Sequence, residues 1–326
     1  VQQPESVPRI PSLFKYILPT VLLLAAGACL WFFRDHTIKF LSAASGWPLL
    51  GIIVISFACF FLDVVRVKFY FSQLRIPINF AKFYHIIMAS NVMSQGVQTK
   101  LGAPVRSILL KKFVSIDYSL SFTIFIYDTI LGYIVIGLGS LVGIHRFYPG
   151  FSNRTIALII LGIALLLALL VGTKIKFFQA GPNEKPSIVS VKENLRSCMD
   201  LLSIRVLFIG AALIFIAGIL GALRLKIELS CLNYNINVMT LLLIEWLAYS
   251  ASTLSLIPAG IGVREASQTF LFMQVGVPQD VAITLSLIDR FFTTGLSVLI
   301  GFISLGILGH DAGGKLWESR QSDTGL

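Results

Sequence analysis

Six stretches of this chain (14–33, 47–65, 119–144, 155–173, 204–223 and 280–308) each run for about twenty residues or more on apolar side chains with very few charges. A bilayer core about 30 Å thick takes about 20 helical residues to cross. Inside it, only helices and closed barrels satisfy their own backbone. The chain is therefore expected to be an all-α polytopic integral membrane protein. Composition agrees: 56% of its 326 residues are apolar and 13% charged, against roughly 25% charged in a soluble domain. A soluble enzyme, a disordered chain and a nucleic-acid-binding domain are excluded. The net charge of +10 falls mostly between the apolar runs, as the basic cytoplasmic loops of a membrane protein require.

Four cysteines (Cys29, Cys59, Cys198, Cys231) are scattered without a CxxC pair and read as small packing residues rather than a disulfide or metal set. The four histidines (His36, His85, His145, His310) never fall at ligand spacing, so no metal and no other cofactor is expected. Residues 14–33 could pass for a signal peptide, but the run is long and more spans follow, so an uncleaved first helix is expected. The most extended polar stretch, 174–203, leaves no room for a large soluble domain within these residues.

Two further segments, 80–97 and 238–257, each lead into a break and then a second short helical piece. The first break reads Gln98-Thr99-Lys100-Leu101-Gly102-Ala103-Pro104 and the second Pro258-Ala259-Gly260-Ile261-Gly262. Pro removes an amide donor and Gly weakens helical preference, so both are places where a membrane helix unwinds. The two segments belong to a duplicated unit. At an offset of 158, Arg66, Lys68, Ser72, Leu74, Ile78 and Asn79 meet Arg224, Lys226, Ser230, Leu232, Ile236 and Asn237. Without a gap, Gly102-x-x-Val105-Arg106 then meets Gly260-x-x-Val263-Arg264, and an offset of 161 places Asp128 over Asp289. Weak internal symmetry with interrupted helices in matching positions marks the substrate site of many transporters. The repeats are placed at about 47–144 and 204–308, joined by a helix over 155–173 and a cytoplasmic loop over 174–203.

Loop charge gives the orientation. With a cytoplasmic amino terminus and eight crossings, Lys and Arg split 12 inside to 13 outside, which is no bias. If 80–117 and 238–276 are re-entrant hairpins instead, the split becomes 18 to 7, in line with positive-inside asymmetry. With only the first hairpin re-entrant it is 17 to 8, so symmetry decides the second. The expectation is an inverted-repeat bundle of six full transmembrane helices plus two re-entrant hairpins, eight membrane segments in all, with both termini cytoplasmic.

Charges within spans are costly and are functional candidates by default. Asp128 lies in TIFIYDTILGY, Glu245 in LLLIEWLAYS, and Asp289 and Arg290 in LSLIDRFFTTG. Asp289 and Arg290 are about 100° apart on a helix, so each is expected to find its partner on another helix. The second break is the most informative stretch. Gly260 and Gly262 feed a helix that starts near Val263, whose free amides and partial positive charge attract anions. Arg264 adds a planar, permanent donor suited to phosphate. Glu265 is either part of this site or simply a favourable acid in the first helical turn. Gly102 and Arg106 offer the same device in the first unit.

The stretch IPAGIGVREASQTFLFMQVGVPQDVAITLSLIDRFF resembles the lysylphosphatidylglycerol synthase transmembrane region, the flippase-like family, through its P-G-G-x-G-x-R-E motif and a following D/Y-R pair. Pro258, Gly260, Gly262, Arg264, Glu265, Asp289 and Arg290 match that pattern, with Ala259 standing where Gly is usual. The first-unit motif lacks the family's acid before V-x-R, and Asp128 is followed by Thr129 rather than Arg. The resemblance implies lipid translocation. No soluble aminoacyl-transfer domain is legible in these residues, so aminoacylation is not expected of them.

The expectation is a non-enzymatic lipid flippase or transporter of the cell inner membrane. Its partner is a membrane lipid with a phosphate-containing headgroup, an anionic phospholipid or a polyprenyl-phosphate-linked lipid. Arg106 and Arg264 would hold phosphate, and Asp128, Asp289 and Glu245 would balance charge or exchange protons. An accessory subunit of a lipid- or glycan-modifying enzyme, and a small-solute transporter, are the alternatives; a homodimer or an enzyme partner is compatible with either.

Overall fold

The computed structural model describes residues 34–44, 46–96, 102–148, 150, 203–255 and 260–323. The expected spans 14–33 and 155–173, the loop over 174–202, and break residues 98–101 and 258–259 lie outside the described residues. So do Cys29 and Cys198. Those described form helices and no strand: α1 Arg34–Ala43, α2 Trp47–Gln73, α3 Phe80–Gly96, α4 Gly102–Val114, α5 Tyr118–Phe147, α6 Ile204–Cys231, α7 Val238–Leu254, α8 Val263–Gln274, α9 Gln279–Arg290, a π turn Phe291–Gly295, and α10 Leu296–Asp323.

Four helical stretches among them are long and apolar enough to cross a membrane: Trp47–Gln73, Tyr118–Phe147, Ile204–Cys231 and Gln279–His310. Only 17% of the most apolar window of the first and 28% of the third is buried inside the protein. Phe57, Phe61, Phe208, Phe215, Phe302 and Ile303 all face outward. A soluble protein does not expose so continuous an apolar surface, and lipid is the solvent that suits it. The helices outlast the apolar runs: α2 and α6 each continue eight residues past the expected ends at 65 and 223. They carry Arg66 and Arg224 with them, and these charges are tolerated because each finds a carboxylate on another helix.

Helix ends are set by the residues that recur along the chain. The Asn79 side chain accepts from the Ala81 amide at 2.9 Å, and Asn237 accepts from Met239 at 2.8 Å, each an N-cap satisfying a free amide. Leu74 and Leu232 close the preceding helices onto Phe71 and Ser72, and onto Leu229 and Ser230, in the same pattern. Arg75 and Asn233 follow in left-handed backbone, φ 56° and 64°. Ser203 caps α6 through Val206, and proline occupies the first turn of α2, where its missing N–H costs nothing.

Packing runs α2 against α6, α3 against α10, and α7 against α5. In the first pair, the Cys59 thiol reaches the Ala217 carbonyl at 3.9 Å, Gly51 faces Ile227, and Tyr70 faces Gly210. Rising numbers on one helix meet falling numbers on the other, so α2 and α6 are antiparallel. In the second pair, Gly301 packs on the Met88 carbonyl, flanked by Asn91 with Ser297 at 3.2 Å and His85 with Ser304 at 3.2 Å. In the third, Ser140 donates to the Trp246 carbonyl at 3.1 Å and pairs with Ser250 at 2.8 Å. Small residues and hydroxyls at crossings let helices approach and hydrogen-bond where no hydrophobic drive exists between them.

The short helices fold back in pairs. Arg106 on α4 reaches Ser90 and Asn91 on α3. Gly260 packs on Ser252, and Arg264 comes within 3.8 Å of Glu245, all along α7. At about 1.5 Å per residue, the 17 residues of α7 and 12 of α8 are each shorter than a bilayer core.

Candidate functional site

Two ionic clusters occupy the interior. In the first, Arg66 on α2 forks onto Asp128 on α5, Nε to Oδ1 at 2.7 Å and Nη2 to Oδ2 at 3.1 Å. Its Nη1 donates to Asp63, one turn earlier, at 2.9 Å. A two-point guanidinium–carboxylate fork is among the strongest charge-assisted contacts available. Tyr70 and Tyr127 stack edge to face beside it, centroids 5.3 Å apart.

In the second, Arg224 on α6 donates from Nη2 to Asp289 on α9 at 2.6 Å. Asp289 is 1% exposed and accepts also from Gln268 at 3.4 Å. Arg264, one residue into α8, stands 3.5 Å from Asp289 and 3.8 Å from Glu245. Glu245 rests against Gly221 on α6, where any side chain would collide with its carboxylate. Glu228 lies one turn beyond Arg224, 3.4 Å from its Nε, and is fully buried.

The sequence singled out Asp128, Asp289, Glu245 and Arg264, and these lie in the clusters. The partners that matter most, Arg66, Arg224 and Glu228, were not read as site residues. They lie past the ends of the apolar runs and so count as loop charges. One signal could have found them: Arg66 and Arg224 recur at an offset of 158, while Asp128 and Asp289 recur at 161. Opposite charges duplicated together are candidates to touch.

Arg290 and Glu265 pair with each other beside the second cluster. Glu265 accepts from the Gly262 amide at 2.7 Å and meets Arg290 Nε at 3.1 Å, so it caps α8 and ties it to α9. Gly260 and Gly262 take φ 61° and 83°, the left-handed turn that aims α8 inward and that glycine adopts freely. Gly102 is the first residue of α4 and is buried.

Arg106 does not join Arg264. It donates to Ser90 Oγ at 3.1 Å and Asn91 Oδ1 at 2.9 Å, with its guanidinium 5.5 Å from the Phe125 ring centre. All three partners are neutral, and no carboxylate among the described residues lies within ion-pair distance of it. Among the described residues this cation is positioned by an amide, a hydroxyl and a ring face, with no carboxylate in direct contact.

The clusters lie on opposite sides of the α2–α6 crossing. Arg66 is seven residues past Cys59 on one helix and Arg224 seven past Ala217 on its antiparallel neighbour, about 10 Å each way. Both side chains lean back toward the crossing, as helical side chains tilt toward the N-terminus. Cys59 is within electrostatic reach of Asp63 and of Arg224, Glu245 and Asp289. Tyr249, 39% exposed, is within reach of Arg264, Asp63 and Arg66.

Residues 18–301 match the family described as the lysylphosphatidylglycerol synthase TM region. A UPF0104 membrane protein of Pyrococcus horikoshii is 23% identical, over 89% of this chain and 96% of its own length. With its multi-pass helical build and a match spanning both clusters, the chain belongs to the lysylphosphatidylglycerol synthase transmembrane-region family.

Proposed function

We propose that this protein is a carrier that moves a lipid with an anionic, phosphate-containing headgroup between leaflets of the cell inner membrane, without chemistry on the lipid. The observation that carries the reading is Arg106, a guanidinium fixed by Ser90, Asn91 and Phe125 with no carboxylate against it among the described residues. A cation inside a membrane protein without a counter-ion is costly, and a phosphate supplies the missing charge. Arg264 is the second station. Its contacts with Asp289 and Glu245 are loose, at 3.5 and 3.8 Å, beside the 2.6 Å bond that holds Arg224, so it can exchange partners.

The architecture that suits this role is a pair of inverted units, each with a re-entrant hairpin: α3–α4 in the first and α7–α8 in the second. Supporting it, the Arg66–Asp128 bond recurs as Arg224–Asp289, and the Met88–Gly301 contact recurs as Trp246–Ser140. Cys59 also meets Ala217, its counterpart at an offset of 158, on an antiparallel helix. Each hairpin would enter from its own face, with the amino terminus in the cytoplasm. The headgroup passes from Arg106 by Tyr249 to Arg264 while the tails stay in the lipid.

Purified protein in vesicles carrying a fluorescent phospholipid or polyprenyl phosphate, with the outer leaflet bleached by dithionite, tests the reading. Accelerated exchange that falls with Arg106→Ala supports it. No acceleration over a range of anionic lipids contradicts it.

A further inference from the structure

The second cluster has a charge imbalance that the carrier reading leaves unused. Two guanidiniums, Arg224 and Arg264, face three carboxyls, Glu228, Glu245 and Asp289. Asp289 takes the best contacts, from Arg224 and Gln268. Glu228 takes the worst: it is fully buried, its contact to Arg224 Nε lacks hydrogen-bond geometry, and both its oxygens are without a hydrogen-bond partner. Glu245 Oε2 is also without one. An ionised carboxylate in that setting is buried without a hydrogen bond, which is costly even beside Arg224.

Among the described residues, the groups that act most strongly on Glu228 include no cation besides Arg224 and Arg264. Its own helix contributes Arg224 and the Cys231 thiol, α7 contributes Glu245, α8 contributes Arg264 and Gln268, and α9 contributes Asp289. From α2, the Cys59 thiol lies against the Ala217 carbonyl. From α1, the apolar Phe40 and Ala44 pack beside Ile227 and Cys231. On α5, Asp128 is committed to Arg66. A proton on one of the three carboxyls balances the two guanidiniums.

We propose that Glu228 carries a proton in the resting protein, and that arrival of the anionic headgroup at Arg264 is coupled to proton binding at this cluster, so that lipid anion and proton cross together. This rests on the carrier reading for its coupling and on the cluster alone for its proton. A phosphate beside Arg264 draws it off Glu245 and Asp289 and adds negative charge to a site that the Glu228 proton had left neutral. Protonation of the exposed edge at Glu245, whose side chain is 16% accessible, restores neutrality. In each binding event one O–H bond forms on a carboxylate oxygen with a proton from water on the loading side. On release that bond breaks and the proton leaves to water on the other side.

Infrared spectroscopy of the whole chain in phosphatidylglycerol vesicles, with glutamate labelled by ¹³C at the side-chain carboxyl, reads the proton directly. The expected result is an isotope-shifted protonated-carboxyl C=O band at neutral pH that disappears in Glu228→Gln. No such band in the wild type, or one that survives Glu228→Gln, overturns the proposal. If Glu228→Gln does not fold, the labelled wild type titrated from acid to alkaline pH decides by the same band. A second arm follows fluorescent anionic lipid under an imposed gradient of one pH unit. Wild type should shift the leaflet ratio by up to about tenfold, the equivalent of ~1.4 kcal/mol; Glu245→Gln should abolish that shift, and a shift that survives Glu245→Gln overturns the coupling. Lipid movement without the band removes the proton proposal and leaves the carrier reading. The band without lipid movement does the reverse.

Discussion

At the scale of single residues, the arginines divide into two kinds by what holds them. Arg66 and Arg224 are bonded to Asp128 and Asp289 at 2.7 and 2.6 Å, and both bonds join separate helices. Removing one partner strands the other, a loss of about 3–5 kcal/mol for a buried pair. Arg66→Ala and Arg224→Ala should therefore each lower the thermal unfolding temperature in detergent markedly, and a change no larger than that of a surface lysine variant would refute the assignment. Arg106 is held by neutral groups, so Arg106→Ala should leave a folded protein. Its lipid exchange in vesicles should fall about tenfold or more, the loss expected with a charge-assisted bond worth ~1.5–3 kcal/mol. Unchanged exchange in a folded Arg106→Ala protein would remove Arg106 from the path.

Single residues also mark where sequence reading stops. Asp128, Glu245 and Asp289 stood out because each is a lone acid inside an apolar run. Arg66, Arg224 and Glu228 were hidden because each lies past the last apolar residue, where a charge reads as a loop. Depth in a membrane protein depends on where the helix ends, and that is set by the left-handed turns at Arg75 and Asn233, not by hydropathy. The resemblance to relatives pointed at Arg264 and Glu265. Only coordinates reveal that Glu265 is occupied with the Gly262 amide and Arg290.

At the scale of elements, the duplicated residues turn out to be largely structural punctuation. Asn79 and Asn237 cap α3 and α7, and each replaced by Ala should cost about 0.5–2 kcal/mol, readable as a fall in unfolding temperature. Two glycines mark crossings with no slack. Gly301 admits the Met88 backbone, and Gly221 admits the Glu245 carboxylate. Gly301→Val should destabilise by about 1–3 kcal/mol through overpacking, while Gly306→Val, where nothing lies within 4 Å, should be near neutral. Equal effects at the two positions would mean that α3 and α10 do not cross there. The breaks were legible as Gly- and Pro-containing interruptions. That Arg264 joins an ionic cluster while Arg106 rests on neutral groups was not, because a sequence repeat gives equivalence without giving partners.

At the scale of the whole molecule, the described residues pack into two large apolar cores and a smaller one. One large core is built on Tyr70, Phe71, Phe83 and Phe125, the other on Leu225, Leu229, Phe272 and Leu285. The antiparallel α2–α6 pair joins them. Each half carries its ionic cluster about 10 Å from the crossing, on opposite sides, and the carrier reading depends on that opposition: a headgroup needs one station open to each leaflet. The measurement that tests it most directly is sided labelling. In a background without native cysteines, Gln73→Cys at the end of α2 and Asn235→Cys after the end of α6 are each challenged in intact cells and in inverted vesicles with a membrane-impermeant maleimide. The account predicts that residue 73 reacts only in inverted vesicles and residue 235 only in intact cells. Reaction of both from the same side would contradict it.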